Sequence, residues 1–375
     1  MISSSDKYKI LFIGRKTKSK RGGRKVFLEL FERFPDNLKE LIDLPRPIKP
    51  FASYFIFYLV NLVSIGLIVK RDKNIKVIVT QYNDIREVVC ALVGKFASRK
   101  VFLVGAIYHI ESKIDYREKK KFNDVLLKLN HTVSNFLMVH FFDLIFTEST
   151  FVKEQINNHH NSIFVAASGV KEENFSKDFI EENQLESRDI DILFFGAMNP
   201  LKGIYDLLWA LKGTVIAGIK PKVVLAGFCE EFELRAIRKE IDRCEVQNNV
   251  SMFTNISEEF KFELFKRSKL YVLPSYYEGI PITFFEAMAS GCVILTYFLN
   301  NYKDIKKNII FVDRGDKNGL KSKIEEILKD YKSYYSAFAV KNFLYSMNHS
   351  SDRVADLKIS EILKLVEKKD TVESH

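Results

Sequence analysis

The stretch Pro274-Ser-Tyr-Tyr-Glu278-Gly279-Ile280-Pro281-Ile-Thr-Phe-Phe-Glu286-Ala-Met-Ala-Ser-Gly291 sets two carboxylates eight positions apart. Leu270-Tyr-Val-Leu273 just before it reads as a buried strand, since it is a short unbroken apolar run. Gly279 allows a turn without a Cβ, Pro281 suits a first helical position, and Gly291 suits a helix end. The segment therefore reads strand, loop, short helix, with Glu278 on the loop and Glu286 near the helix's N-terminal turn. Loop N–H groups and the positive end of such a helix form a seat for phosphate, while the two carboxylates can accept hydrogen bonds from sugar or ribose hydroxyls. A nucleotide-sugar pocket is the expectation.

Working outward, Asp191–Gly196, Lys222–Gly227, Leu270–Pro274, Cys292–Leu295 and Ile309–Val312 are the strand candidates of the second half. The first half has candidates at residues 8–14, 76–80, 100–104, 143–147 and 162–166. Helical stretches alternate with them, which predicts an α/β chain with parallel sheets covered by helices on both faces. Two Rossmann-like halves follow, with ligand at the carboxyl ends of the strands. The charged stretch Lys171–Arg188 is the linker candidate. Expected boundaries are 1–170 for the first half, 171–350 for the second, and 351–375 for a last helix with an Ile359, Ile362, Leu363, Val366 stripe.

The two glutamates, Pro-Ser before the first, Glu-Gly-x-Pro around it and Glu-Ala-Met-Ala-x-Gly around the second resemble the signature of retaining GT-B-fold glycosyltransferases of family 4, the glycosyl transferases group 1 type. The resemblance is specific over residues 190–315 and looser before. It implies a GT-B fold, two Rossmann-like domains facing a central cleft, 1–170 on the acceptor side and 171–350 binding the nucleotide sugar, with the last helix crossing back to the N-terminal domain. It also implies transfer of a hexose-type sugar from a nucleoside-diphosphate sugar to a glycan or lipid-linked acceptor, in cell-surface polysaccharide or glycolipid synthesis. In that reading Glu286 holds the ribose hydroxyls, and Glu278 with the N–H groups of Gly279 and Ile280 holds the donor sugar. Gly196-Ala-Met-Asn-Pro-Leu-Lys202-Gly203 resembles the family's Gly-Arg-x-x-x-x-Lys-Gly, so Lys202 is assigned to the donor diphosphate. Ala197 stands where the family has arginine, and the expected replacement is a basic residue from the N-terminal half: Arg15, Lys16 or Arg24. His109, just beyond the strand Val101–Val104, matches a family histidine that acts at the donor sugar, and Gly22-Gly23 matches its glycine-bearing first loop. Asp143–Ser149 and Ser168-Gly-Val-Lys171 match looser segments before the linker. Rival readings are a catalytically weak GT-B subunit binding a glycan or partner enzyme, suggested by Ala197, and a nucleotide-sugar epimerase of related fold.

Charge is unevenly spread: residues 1–170 hold 28 Lys+Arg against 16 Asp+Glu, a net of +12, and the rest of the chain nets −2. An anionic partner for the first half follows, such as a lipid surface, a diphospho-lipid or an acidic glycan. Nucleic acid is not expected as a partner, because no basic motif interleaved with aromatics occurs. Cys90, Cys229, Cys244 and Cys292 are widely spaced and form no C-x-x-C pair, as core residues of a reducing compartment would be. Met1–Asp6 has no secretory leader pattern, so residence is expected to be cytoplasmic, with peripheral contact at the inner face of the plasma membrane. Phe51–Val69 is uncharged and between basic flanks, the dress of a membrane span. Asn61, Ser64 and Gly66 interrupt it and a strand follows at once, so it is expected to be a core helix lying partly on the membrane. The pair Asp189-x-Asp191 has no supporting ligand nearby in sequence, and neither a metal nor any other cofactor is expected.

Overall fold

A computed structural model describes residues 8–15, 23–44, 51–108, 122–156, 162–167, 169–175 and 187–372. The chain forms two compact units, one of Met1–Ala167 with Arg353–His375, the other of Ser168–Asp352.

The first unit holds strands β1 (Lys9–Gly14), β2 (Lys39–Asp43), β3 (Ile75–Thr80), β4 (Phe102–Ala106), β5 (Leu144–Thr147) and β6 (Ile163–Val165). They pair in parallel in the order β2-β1-β3-β4-β5-β6. Its helices are α1 (Gly23–Glu32), α2 (Phe51–Arg71), α3 (Ile85–Ala97), α4 (Phe122–Phe141) and α5 (Thr150–Ile156). Parallel strands covered on both faces must be apolar on both faces, and β1 obeys this with Ile10, Leu11, Phe12 and Ile13 all buried. Leu11 and Ile13 meet Ile65 and Val69 of α2, Val88 of α3, Met138 of α4 and Val152 of α5. Ile10 and Phe12 meet Phe27 and Leu30 of α1 on the other side. That side is completed by Ile359, Ile362 and Val366 of the C-terminal helix, Ser351–Val372. Among the described residues no helix is long and apolar enough to cross a membrane.

The second unit holds β7 (Ile190–Ala197), β8 (Val223–Phe228), β9 (Val250–Thr254), β10 (Ser268–Val272), β11 (Val293–Tyr297) and β12 (Ile310–Val312). They form a second parallel sheet in the order β12-β11-β10-β7-β8-β9. Helices α6 (Ile204–Ile216), α7 (Glu231–Arg243), α8 (Glu258–Arg267), α9 (Ile282–Ala289), α10 (Lys317–Lys329) and α11 (Tyr331–Asn348) surround it. The chain runs outward from β7 to β9, then restarts at β10 and runs the other way. The reversal falls between β7 and β10, and a crevice beyond the carboxyl ends of strands at such a point is where open α/β sheets bind ligands.

Two of the described strands escape a search for apolar runs: β2 and β9, each at the edge of its sheet with no fully buried residue. The expected strand at 100–104 is displaced to Phe102–Ala106, and that at 270–274 begins two residues earlier at Ser268. Pro281 caps α9 from just outside rather than opening it, and Gly291 does follow the helix, at a φ of 71°. Arg188, read as the end of a polar linker, is buried in the second unit. Its guanidinium donates to the carbonyls of Ser268 and of Ser290 (2.6 Å), tying the start of β10 to the end of α9.

Candidate functional site

The segment after β7 turns through Asn199, whose side chain accepts from the Lys202 N–H at 3.2 Å, into a single 3-10 turn, Pro200–Lys202. Gly203 follows with φ 72°, and a Cβ there would fall 2.0 Å from the carbonyl oxygen of Pro274. Only glycine permits this approach, and the Tyr276 N–H then donates to the Leu201 carbonyl at 2.9 Å. The turn after β7 and the loop after β10 are thus held together, and Lys202 forms an ion pair with Glu278, both side chains about one-fifth exposed. Asn301 fixes the other side of that loop by donating to the Glu278 carbonyl at 2.7 Å. Gly279 is half-buried, and Ile280 packs its side chain inward.

Asp206 of α6 braces the loop from below. Its Oδ2 accepts from the hydroxyls of Tyr276 (2.6 Å) and Tyr297 (2.8 Å), and its Oδ1 lies 3.0 Å from the Lys317 ammonium. On the α9 side, the Tyr271 hydroxyl bridges the Phe195 carbonyl and the Thr283 hydroxyl, both at 2.8 Å. Burial, with both glutamates near, keeps that hydroxyl protonated well beyond the usual tyrosine range.

Glu286 lies on the second turn of α9, only 4% exposed. A carboxylate so buried needs a countercharge. Lys261 of α8 provides it, with Nζ 2.6 Å from Oε1. Lys261 is itself held: Ser257 caps α8 by accepting from the Phe260 N–H, Glu258 lies 3.4 Å from the ammonium, and the Phe262 ring lies 4.4 Å beneath it. Lys261 and Asp206 were not foreseen. A signal for Lys261 does exist, since it shares a helix face with Leu264 and Phe265, both buried, where lysine is out of place.

The structure thus brings Lys202 and Glu278 into contact, and sets Gly196 at the end of β7, where the nearest atom to an added Cβ would be Leu273 Cδ1 at 3.6 Å. Ala197, half-buried, is the last residue of β7. Gly23 opens α1, whereas His109, Gly22, Lys16 and the Arg24 side chain lie outside the described residues. The Arg15 N–H donates to Gln81 Oε1 at 3.2 Å. Asp189 and Asp191 are engaged by Arg267 (2.7 Å) and Lys269 (2.7 Å). Among the described residues no three His, Cys, Asp or Glu side chains gather as a metal site.

The first unit has titratable groups of its own beyond its strand ends. Burial pushes the Glu87 carboxyl up to about 8, and its Oε2 accepts from the Tyr82 N–H at 2.7 Å. Burial also pushes the Lys358 ammonium of the C-terminal helix down to about 8, against the pull of Glu148 and Glu29.

Residues 175–338 match the family profile described as glycosyl transferases group 1. No curated protein matches the chain in sequence. Among solved structures, Anabaena HepE in complex with UDP and glucose is 14% identical, with a TM-score of 0.71 over 95% of this chain and 100% of that one. Sucrose-phosphate synthase of Thermosynechococcus elongatus is 16% identical, with a TM-score of 0.71 over 96% and 100%. WaaG, a glycosyltransferase involved in lipopolysaccharide biosynthesis, is 13% identical, with a TM-score of 0.65 over 93% and 99%. At these identities the likeness is one of fold. Residues 175–338 thus match the glycosyl transferases group 1 profile, and the chain as a whole has the GT-B fold.

Proposed function

We propose that the protein is a retaining glycosyltransferase that moves a hexose-type sugar from a nucleoside-diphosphate sugar to a hydroxyl of a glycan or lipid-linked acceptor, without a metal. The observation that carries this is the meeting of Lys202 and Glu278 at the strand-order reversal of the second unit, with Glu286 on the adjoining helix. An ammonium has three donors, so Lys202 can keep Glu278 and still engage a diphosphate oxygen as negative charge builds on the leaving group. Glu278, with the N–H groups of Gly279 and Ile280, would hold the donor sugar, and Glu286 would accept from the ribose hydroxyls. His109 would act at the sugar. The bond from the sugar's anomeric carbon to the diphosphate breaks, one to the acceptor oxygen forms on the same face, and the departing phosphate takes the acceptor's proton.

A thermal-shift screen of nucleoside-diphosphate sugars tests this, because a ligand that binds only the folded state raises its stability. Glu278→Ala is expected to bind the free nucleoside diphosphate within about threefold of the parent while turnover falls by a hundredfold or more, since its contacts are to the sugar. Equal loss of nucleotide affinity in Glu278→Ala and Glu286→Ala would show the roles to be wrongly divided. Ala197 favours a second reading, a GT-B subunit that binds but scarcely turns over. Donor binding with neither transfer nor donor hydrolysis would support it.

The acceptor side is proposed to rest on an anionic membrane. Leu59, Val60, Val63 and Leu67 of α2, Phe96 of α3 and Phe136 of α4 are exposed, Phe96 at 77%. Lys70, Arg71, Arg99 and Lys100 are exposed at the ends of the same helices. Apolar contacts flanked by basic residues suit a surface of acidic lipid headgroups, and the net +12 of residues 1–170 has the matching sign. Vesicles with acidic lipids should bind the protein at low salt and release it near about 0.5 M, where the Debye length shrinks to a few ångströms. Val63→Glu with Phe136→Glu should weaken the binding. No binding at low salt would point instead to a soluble acceptor.

A further inference from the structure

We infer that Lys261 is the residue that positions Glu286 for the ribose diol, and so sets the preference for ribo- over 2′-deoxyribonucleotides; this rests on the reading that Glu286 holds the ribose hydroxyls. A glutamate has three side-chain torsions, and fixing them on binding costs free energy that a preset side chain has already lost. Glu286 is preset. Its Oε1 is taken by Lys261 at 2.6 Å, which orients the carboxylate plane and leaves Oε2 for another donor. The lysine is fixed in turn by the capped first turn of α8, by Glu258 and by the Phe262 ring, so the arrangement does not depend on ligand. An unpaired carboxylate at 4% exposure would turn toward any water or donor within reach, and its geometry toward a diol would be lost.

The distinguishing measurement is a ratio of affinities rather than an affinity. Calorimetry on the full chain with UDP, GDP and ADP, and with the 2′-deoxy form of whichever binds best, gives the discrimination factor. For the parent it is expected to be about tenfold or more, the effect of losing one hydrogen bond to a charged group. Lys261→Met and Lys261→Gln should bring it to within about threefold, and Lys261→Arg should restore most of it. Melting temperatures recorded alongside separate this from a loss of stability, which would weaken both nucleotides equally. Lys261→Gln is polar but one atom shorter and uncharged, so it gives up the 2.6 Å pairing with less disruption of packing, and the test survives if Lys261→Met does not fold. An unchanged ratio in a folded Lys261 variant overturns the inference and leaves the ribose role of Glu286 standing. No ribose preference in the parent overturns both.

Discussion

Glu286→Ala is expected to damage both binding and stability. The carboxylate would accept from ribose hydroxyls, and charge-assisted hydrogen bonds contribute about 1.5–3 kcal/mol, so affinity for the nucleoside diphosphate should fall by roughly 10- to 150-fold. Among the described residues, the same change leaves Lys261 buried with only the more distant Glu258 as a carboxylate partner. Breaking one partner of a buried pair typically costs about 3–5 kcal/mol. Calorimetry and urea unfolding measure the two losses separately. The double change Glu286→Leu with Lys261→Met removes both charges, and should recover most of the stability but none of the binding. Parental affinity in folded Glu286→Ala would rule out the ribose assignment.

Glu87→Gln is expected to make the first unit more stable at alkaline pH and to change little in acid. Burial raises the Glu87 carboxyl from its usual 4.5 to about 8, so the folded state holds a proton that the unfolded chain gives up. The sign follows: the group costs nothing below pH 4.5, and stability is lost as pH rises toward 8. At 1.36 kcal/mol per unit, the loss approaches about 5 kcal/mol as an upper figure. Glutamine retains a carbonyl for the Tyr82 N–H and carries no charge. Unfolding midpoints of parent and variant should therefore agree near pH 4.5 and diverge by pH 9. Lys358 works in a different window, because its folded value of about 8 lies below the usual 10.5, so stability gained from it appears only as pH climbs from 8 toward 10.5. Parallel pH profiles for parent and Glu87→Gln would mean that the carboxyl is ionised in the folded state.

The sheet centres were legible because parallel strands buried on both faces must be continuous apolar runs, and β7, β8 and β11 are such runs. β2 and β9 were not, because an edge strand faces solvent along much of its length and its residues look like loop. Glu278 and Glu286 could be picked out because glycine and proline punctuate the chain around them, and Lys202 because its segment resembles the family's Gly-Arg-x-x-x-x-Lys-Gly. What could not be read was who faces whom. Lys261 pairs with a residue 25 positions away and Asp206 with tyrosines 70 and 91 away, and no local pattern encodes such partners. Arg188 misled for a related reason. Its charge suggests solvent, while its carbonyl partners sit 80 and 102 residues downstream.

The C-terminal helix has a bearing on how the protein is made. Phe12, Phe27 and Leu30 complete their packing with Ile359, Ile362 and Val366, so the half of the chain that leaves the ribosome first lacks part of its interior. At roughly 5–20 residues per second, the wait from residue 167 to residue 366 is about 10–40 s. Over that interval one face of the β1–β3–β4 sheet stands uncovered beside α1, an apolar surface of the kind that recruits chaperones or other nascent chains. Expression of residues 1–167 alone should accordingly give insoluble protein, and a helix spanning 351–372 supplied as a separate peptide should rescue it.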